Sequence, residues 1–222
     1  KTPLPSGCKP ELDVTEELDS AMESRYRQLI GILRWAVELG RLDFHHEVSI
    51  LSQFQALPRE GHLEAAYHVF DYLNDKPKAG TVLDHRQPGI DESVFKHDCD
   101  WTPFHGELEE ELPAKMPDPL GCPVSIHCFV DSNHAGNVVT QRSHTGILMF
   151  INKAPAVWHS KRQNTVETSA FGSEFIAMRI AKEMIVSLRH KLRMLGIPIH
   201  GPPNVHSGNE VVVKTASIPE SV

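Results

Sequence analysis

The stretch Val124-Ser-Ile-His-Cys-Phe-Val-Asp131 decides the fold. Val124, Ile126, Cys128 and Val130 alternate with Ser125, His127 and Phe129, the period of two that marks a β-strand. The run ends at Asp131 and a turn-like Ser-Asn-His-Ala-Gly stretch. Two more strand-like runs, 145–151 and 154–159, are separated only by Asn152-Lys153, a spacing that predicts a hairpin. A long helical pattern over 166–195 follows, stopped by Gly196 and Pro198. A short strand candidate near Val205 and an apolar run from Val211 to Val213 come last. The order strand, strand, strand, helix, strand predicts an α/β unit with a mixed sheet.

Upstream the grammar is helical. Residues 24–39 place Tyr26, Leu29, Ile30, Leu33, Ala36 and Val37 at helical spacing behind Ser24 as a candidate cap, with Gly40 as the stop. Residues 43–57, stopped by Pro58, and 59–73 give two more helical patterns, and the short connections favour a small bundle. Before them, Pro3, Pro5, Gly7 and Pro10 followed by acids read as an extended arm. Between about Lys76 and Pro123 periodicity dissolves into Pro and Gly around the acidic run Glu107 to Glu111, which reads as a solvated loop. The expected organisation is an arm (1–20), a helical segment (21–76), a linker (77–122) and an α/β domain (123–222).

At 222 residues with 40% hydrophobic and 23% charged residues, the chain can bury a core, which excludes gross disorder and collagen-like structure. No stretch reaches the roughly 18 apolar residues of a membrane helix, and the acids among the first twenty residues leave no apolar signal core. An intracellular setting is expected, without a choice between cytoplasm and nucleus. Cys8, Cys99, Cys122 and Cys128 lack metal or disulfide spacing and read as reduced thiols. The net charge of −7 argues against a general nucleic-acid binder, but it is unevenly spread. Residues 1–137 carry 12 basic against 24 acidic side chains, and residues 138–222 carry 10 against 5. Any basic face belongs to the C-terminal part.

Two of the 29 acids stand out. Asp131 closes the first strand, where a side chain can project from the sheet rim. Glu174 falls within the apolar stripe of Phe171, Met178, Ala181, Ile185 and Leu188, so it faces the sheet. A buried carboxylate needs a partner, and a divalent cation shared with Asp131 would be one. The competing reading leaves Glu174 half exposed near the helix start, favoured by the helix dipole.

Several motifs resemble a known family. Tyr26-Arg-Gln-Leu-Ile-Gly31, His62-Leu-Glu-Ala-Ala66 and Tyr72-Leu73 resemble the region after the reverse-transcriptase palm and fingers in copia-type LTR retrotransposon Pol polyproteins. Phe129-Val-Asp-Ser-Asn-His-Ala-Gly136, Arg142-Ser-His-Thr-Gly146, Val157-Trp-His-Ser-Lys161, Gln163 and Ser173-Glu-Phe-Ile-Ala177 resemble the ribonuclease H domain that follows. The resemblance implies a ribonuclease H-like mixed sheet of five strands with flanking helices, preceded by a helical thumb or connection segment. It also implies hydrolysis of the RNA strand of an RNA/DNA hybrid with Mg²⁺ or Mn²⁺, Asp131 and Glu174 being both metal ligands and catalytic residues. The third carboxylate of the family falls in His206-Ser-Gly-Asn-Glu210 on Gly208, and Glu210 is a poor substitute two residues along. The family continues past the Ile218-Pro-Glu-Ser221 stretch with a further histidine and acid that this sequence lacks, so the domain is expected to be C-terminally truncated.

An impaired copy is therefore expected. Arg142, Lys161, Arg162 and Arg179 are the candidate contacts to hybrid phosphates, balanced against an ordinary solvated face. Trp158 reads as hairpin core, and Ser143 and Thr145 as turn residues. The partners implied are an RNA/DNA hybrid and the rest of the Pol polyprotein, with no membrane. The alternatives are a non-catalytic retroelement relic that still binds hybrid, and an unrelated metal-dependent nuclease or transposase of the same superfold.

Overall fold

The computed structural model describes residues 2–90, 102–107 and 109–217. Cys99 and the Ile218-Pro-Glu-Ser221 stretch lie outside them. The chain forms two compact units, one of Lys1–Val82, Asn133–His144 and Ser160–Glu167, the other of Leu83–Ser132, Thr145–His159 and Thr168–Val222.

Three helices build the first unit: α1 (Ser20–Glu38), α2 (His45–Leu51) and α3 (Glu60–Asp75). Helix α1 begins four residues before the expected Ser24, because Asp19 caps it by accepting from Met22 N–H at 2.8 Å. Its buried face is the predicted one: Tyr26, Leu29, Ile30, Leu33 and Val37. Each such side chain stabilises the unit by roughly 1.5–3 kcal/mol. The Tyr26 hydroxyl donates to Leu51 O at 2.7 Å. The single helix expected over 43–57 is instead the short α2 between two 3₁₀ turns, Leu42–Phe44 and Ser52–Phe54. At the break Ser52 Oγ donates back to Val48 O at 2.6 Å, the local competition that serines offer a helix.

The arm is not extended throughout, since it holds a 3₁₀ turn at Pro10–Leu12, and it is not free. Leu18 N–H donates to Pro58 O and Glu60 N–H to Glu16 O, at 3.1 and 3.0 Å. Buried His62 completes the clamp: Arg59 N–H donates to its Nδ1 at 3.0 Å, and its Nε2 lies 2.9 Å from Pro10 O.

The sheet is built from β1 (Ile126–Asn133), β2 (His144–Ile151), β3 (Ala154–Arg162) and β4 (Asn204–Ser207), in the order β3-β2-β1-β4. The fold is therefore α/β with a mixed sheet. Four strands occur among the described residues, the number in the sequence pattern, against the five that the resemblance implies; the apolar run at Val211 lies in helix α6 (Glu210–Ser217). Asn209 caps that helix by accepting from Val211 and Val212 N–H. Strands β1 and β4 run parallel, and β2 and β3 form the predicted hairpin. Asn152 turns it at φ 56°, the left-handed conformation that Asn tolerates, while its Oδ1 accepts from Ser125 N–H at 2.9 Å.

Helix α5 (Ala170–Met194) packs Ala177, Ala181 and Ile185 against Cys128 and Val130 of β1 and Ile147 and Met149 of β2. Burial pushes the Cys128 thiol up to about 12. The long segment before the sheet packs onto the second unit: Leu120 N–H donates to Gly196 O at 2.8 Å, and short helix α4 (Thr102–His105) lies within it. The acids of the run, Glu107, Glu109, Glu110 and Glu111, are exposed, as a solvated loop would have them, but Glu110 is also paired. Glu110 accepts from Arg189 at 2.9 and 2.6 Å and from Arg193 at 2.9 Å, and the two guanidiniums hold its carboxyl down at about 2.

Candidate functional site

Strand β1 is buried throughout its first three residues and alternates from Cys128 onward, so Cys128, Val130 and Ser132 are buried while Phe129, Asp131 and Asn133 are exposed. This alternation delivers Asp131 to an exposed position near the strand end. Glu174 comes from the second turn of α5. Ser169 caps that helix by accepting from Gly172 N–H at 3.1 Å, and the register that buries Ala177 and Ala181 also buries Glu174, which is only 9% exposed. The half-exposed reading of Glu174 does not hold.

The two carboxylates meet within the second unit. Burial raises the Glu174 pKa, the Asp131 charge raises it further, and a hydrogen bond from the Ser132 main-chain N–H works against both. Glu174 Oε2 is buried and has no hydrogen-bond partner among the described residues. An oxygen stripped of water and facing a second carboxylate suits a hard cation.

Gly208 is the next residue after β4. The β1/β4 register runs His127 with Asn204, Cys128 with Val205, Phe129 with His206 and Val130 with Ser207. The pairing ends there: Gly208 follows Ser207, the partner of the residue before Asp131, at a bend of the chain. A Cβ built at Gly208 meets no heavy atom within 4 Å, so the backbone has room there for a side chain. Glu210 does not fill the place: it is 80% exposed and pairs with Lys214 at 2.6 Å. Among the described residues no group of three or more His, Cys, Asp and Glu side chains is disposed to hold a metal ion. The site has two acidic donors and a gap.

The cationic candidates separate. Arg142 and Arg162 line one cavity in the first unit, which the exposed Lys161 does not join. Arg179 is exposed on α5 in the second unit. Ser143 is fully buried and braces a loop as expected, its Oγ accepting from Ala135 N–H at 3.1 Å. Trp158 is half-buried on β3.

An aromatic stack on the two strands that carry the site was not expected. Phe129 and His206 stack at 4.4 Å, and His206 Nε2 lies 3.3 Å from His127 Nδ1. Burial and the His127 ring lower the His206 pKa. The alternation that exposes Asp131 already placed 127 and 129 on its face; the pairing with 206 required the register.

Fold and site define an α/β protein whose mixed sheet presents a close carboxylate pair. Its relatives are of low identity. The chain is 24% identical over 205 residues to the retrovirus-related Pol polyprotein from transposon RE1 of Arabidopsis thaliana, across 92% of this chain and 12% of that protein. It is 25% identical over 182 residues to the retrovirus-related Pol polyprotein from transposon TNT 1-94 of Nicotiana tabacum, across 82% of this chain and 11% of that protein. It is also 26% identical over 168 residues to secreted RxLR effector protein 161 of Plasmopara viticola, across 76% of this chain and 94% of that protein. No family model matches the chain, and no solved structure matches it. The chain is related to the retrotransposon Pol polyproteins and spans about an eighth of the length of those it matches.

Proposed function

We propose that the sheet and α5 form a ribonuclease H-type domain whose hydrolytic site is impaired by Gly208. The observation that carries this reading is the meeting of exposed Asp131 with buried Glu174, one of whose oxygens lacks a partner, near the end of the strand that pairs with β4 up to the residue before Gly208. Asp131 and Glu174 would hold Mg²⁺ or Mn²⁺, which when bound supplies Lewis-acid polarisation of a phosphodiester. Ser132 N–H orients Glu174, and burial keeps that carboxylate in the fixed rotamer that metal sites need. The substrate would be an RNA/DNA hybrid, read by shape and 2′-hydroxyl contacts.

Gly208 contributes no oxygen, so the cation would rest on two carboxylates and water. That shortage favours a second reading, a module that binds hybrid without cutting it. Cleavage of a labelled hybrid in Mg²⁺ and in Mn²⁺ by the parent chain, Gly208→Asp and Gly208→Asp/Asp131→Asn separates the two. The expected result is a silent or weak parent, activity in Gly208→Asp, and its loss in the double variant. Silence in all three, with each variant folded by circular dichroism, would leave the binding module.

A further inference from the structure

A cavity of about 130 Å³ opens within the first unit. Distant stretches converge on its wall: Lys9 and Glu11 from the arm, His46 from α2, Arg142 and His144 from the β1–β2 loop and the start of β2, and Arg162 from the end of β3. Three of these side chains carry fixed positive charge and one is acidic. Glu11 accepts from Val138 N–H at 3.1 Å, and Lys9 Nζ donates to Gly136 O at 3.3 Å, so the arm is tied to the loop at two points.

The two arginines are held in place by their backbones. Asn137 N–H donates to Arg142 O at 3.2 Å, and Thr140 N–H to Asn137 Oδ1 at 2.8 Å, which closes the loop on itself. Gln163 N–H donates to Ser143 O at 2.8 Å, linking the residues that follow Arg162 and Arg142. Several arginines have carboxylates to neutralise them, as Arg41 has Asp43 and Arg189 has Glu110, and Arg25, Arg34 and Arg179, unpaired among the described residues, stand exposed on helices rather than lining this cavity. Among the described residues Arg142 and Arg162 form no ion pair. Two guanidiniums lining one small cavity, with an ammonium on the same wall, suit a polyvalent oxyanion.

We propose that this cavity seats one backbone phosphate of a nucleic acid, gripped by Arg142 and Arg162 with Lys9 beside them. The contact positions the strand and carries no base readout. It rests on the nucleic-acid role proposed above but not on the carboxylate pair.

Binding of a labelled RNA/DNA hybrid to the full chain in EDTA, across a salt series, tests it without any metal chemistry. For Arg142→Gln/Arg162→Gln the expected result is affinity lowered about tenfold or more, with the slope of log affinity against log salt reduced by about 2. Arg25→Gln/Arg34→Gln removes the same charge from exposed α1 positions and is expected to leave both unchanged. Arg142→Lys/Arg162→Lys is expected to keep the salt slope while losing part of the affinity, which separates charge from misfolding. Equal slopes for the two Gln doubles would overturn the proposal. Stabilisation of the parent by inorganic phosphate, lost in Arg142→Gln/Arg162→Gln while the hybrid slopes stay equal, would overturn it in favour of a free-phosphate site. A slope change in a chain that cuts no hybrid even as Gly208→Asp would uphold the cavity while the cleavage reading fails.

Discussion

Glu174 is the residue at which stability and function pull apart. A carboxylate in the register of Ala177 and Ala181 gives up hydration, and among the described residues nothing replaces it at Oε2. Its raised pKa means that the folded chain keeps this proton to higher pH than the unfolded chain, so stability is lost as pH rises from the unfolded to the folded value and the full cost stays above it. Glu174→Gln, which carries no charge to desolvate, is expected to raise stability in EDTA at neutral pH by about 1 kcal/mol, read as a higher unfolding midpoint. Excess Mn²⁺ is expected to raise the midpoint of the parent and leave that of Glu174→Gln unmoved. A parent midpoint indifferent to Mn²⁺ would remove the cation from the account. The Glu174 position was legible in the sequence because helical periodicity alone places 174 on the stripe of 181 and 185. The Arg142–Arg162 cavity was not: Lys9 and His46 join it only through tertiary packing.

At the scale of elements, α5 depends on small residues where it crosses the sheet. Ala177 and Ala181 are fully buried against Cys128, Val130, Ile147 and Met149, which lets the helix approach closely. Ala181→Leu is expected to cost about 1–3 kcal/mol by overpacking, measurable as a lower denaturant midpoint. The far end of the same helix is tied by Glu110. Because Arg189 and Arg193 depress the Glu110 pKa from 4.5 to about 2, their contribution is present above the unfolded value and fades as pH falls toward 2. With one third of the Glu110 side chain exposed, screening reduces the worth of the cluster to about 1 kcal/mol. Glu110→Gln is therefore expected to destabilise by about that much at pH 6 and by nothing near pH 2. A loss independent of pH would point to packing instead. This tie was invisible in a run of acids without periodicity, whereas the β2–β3 hairpin was plain from two residues between two apolar runs. The α2 break lay between these cases, since apolar spacing continues through Ser52 while the serine hydroxyl competes for the backbone.

For the whole molecule, the uneven charge of the sequence has a structural counterpart. The acidic N-terminal majority includes Glu110, which spends its charge on Arg189 and Arg193, while Arg142 and Arg162 keep theirs toward a cavity. The order of elements was readable because periodicity is local, whereas the pairing of Asp131 with Glu174 was one of two open readings of the spacing until the resemblance favoured it. The β1/β4 register that ends just before Gly208 was not readable, because it depends on how β4 lies along β1. The central claim is that Asp131 and Glu174 are two parts of a metal site whose third part is missing at Gly208. Titration of Mn²⁺ into the parent, Gly208→Asp and Gly208→Asp/Asp131→Asn, followed by calorimetry, tests it most directly. Weak binding in the parent, at least about tenfold tighter binding in Gly208→Asp and loss of that gain in the double variant are predicted. Equal Mn²⁺ affinity in the parent and Gly208→Asp would contradict it.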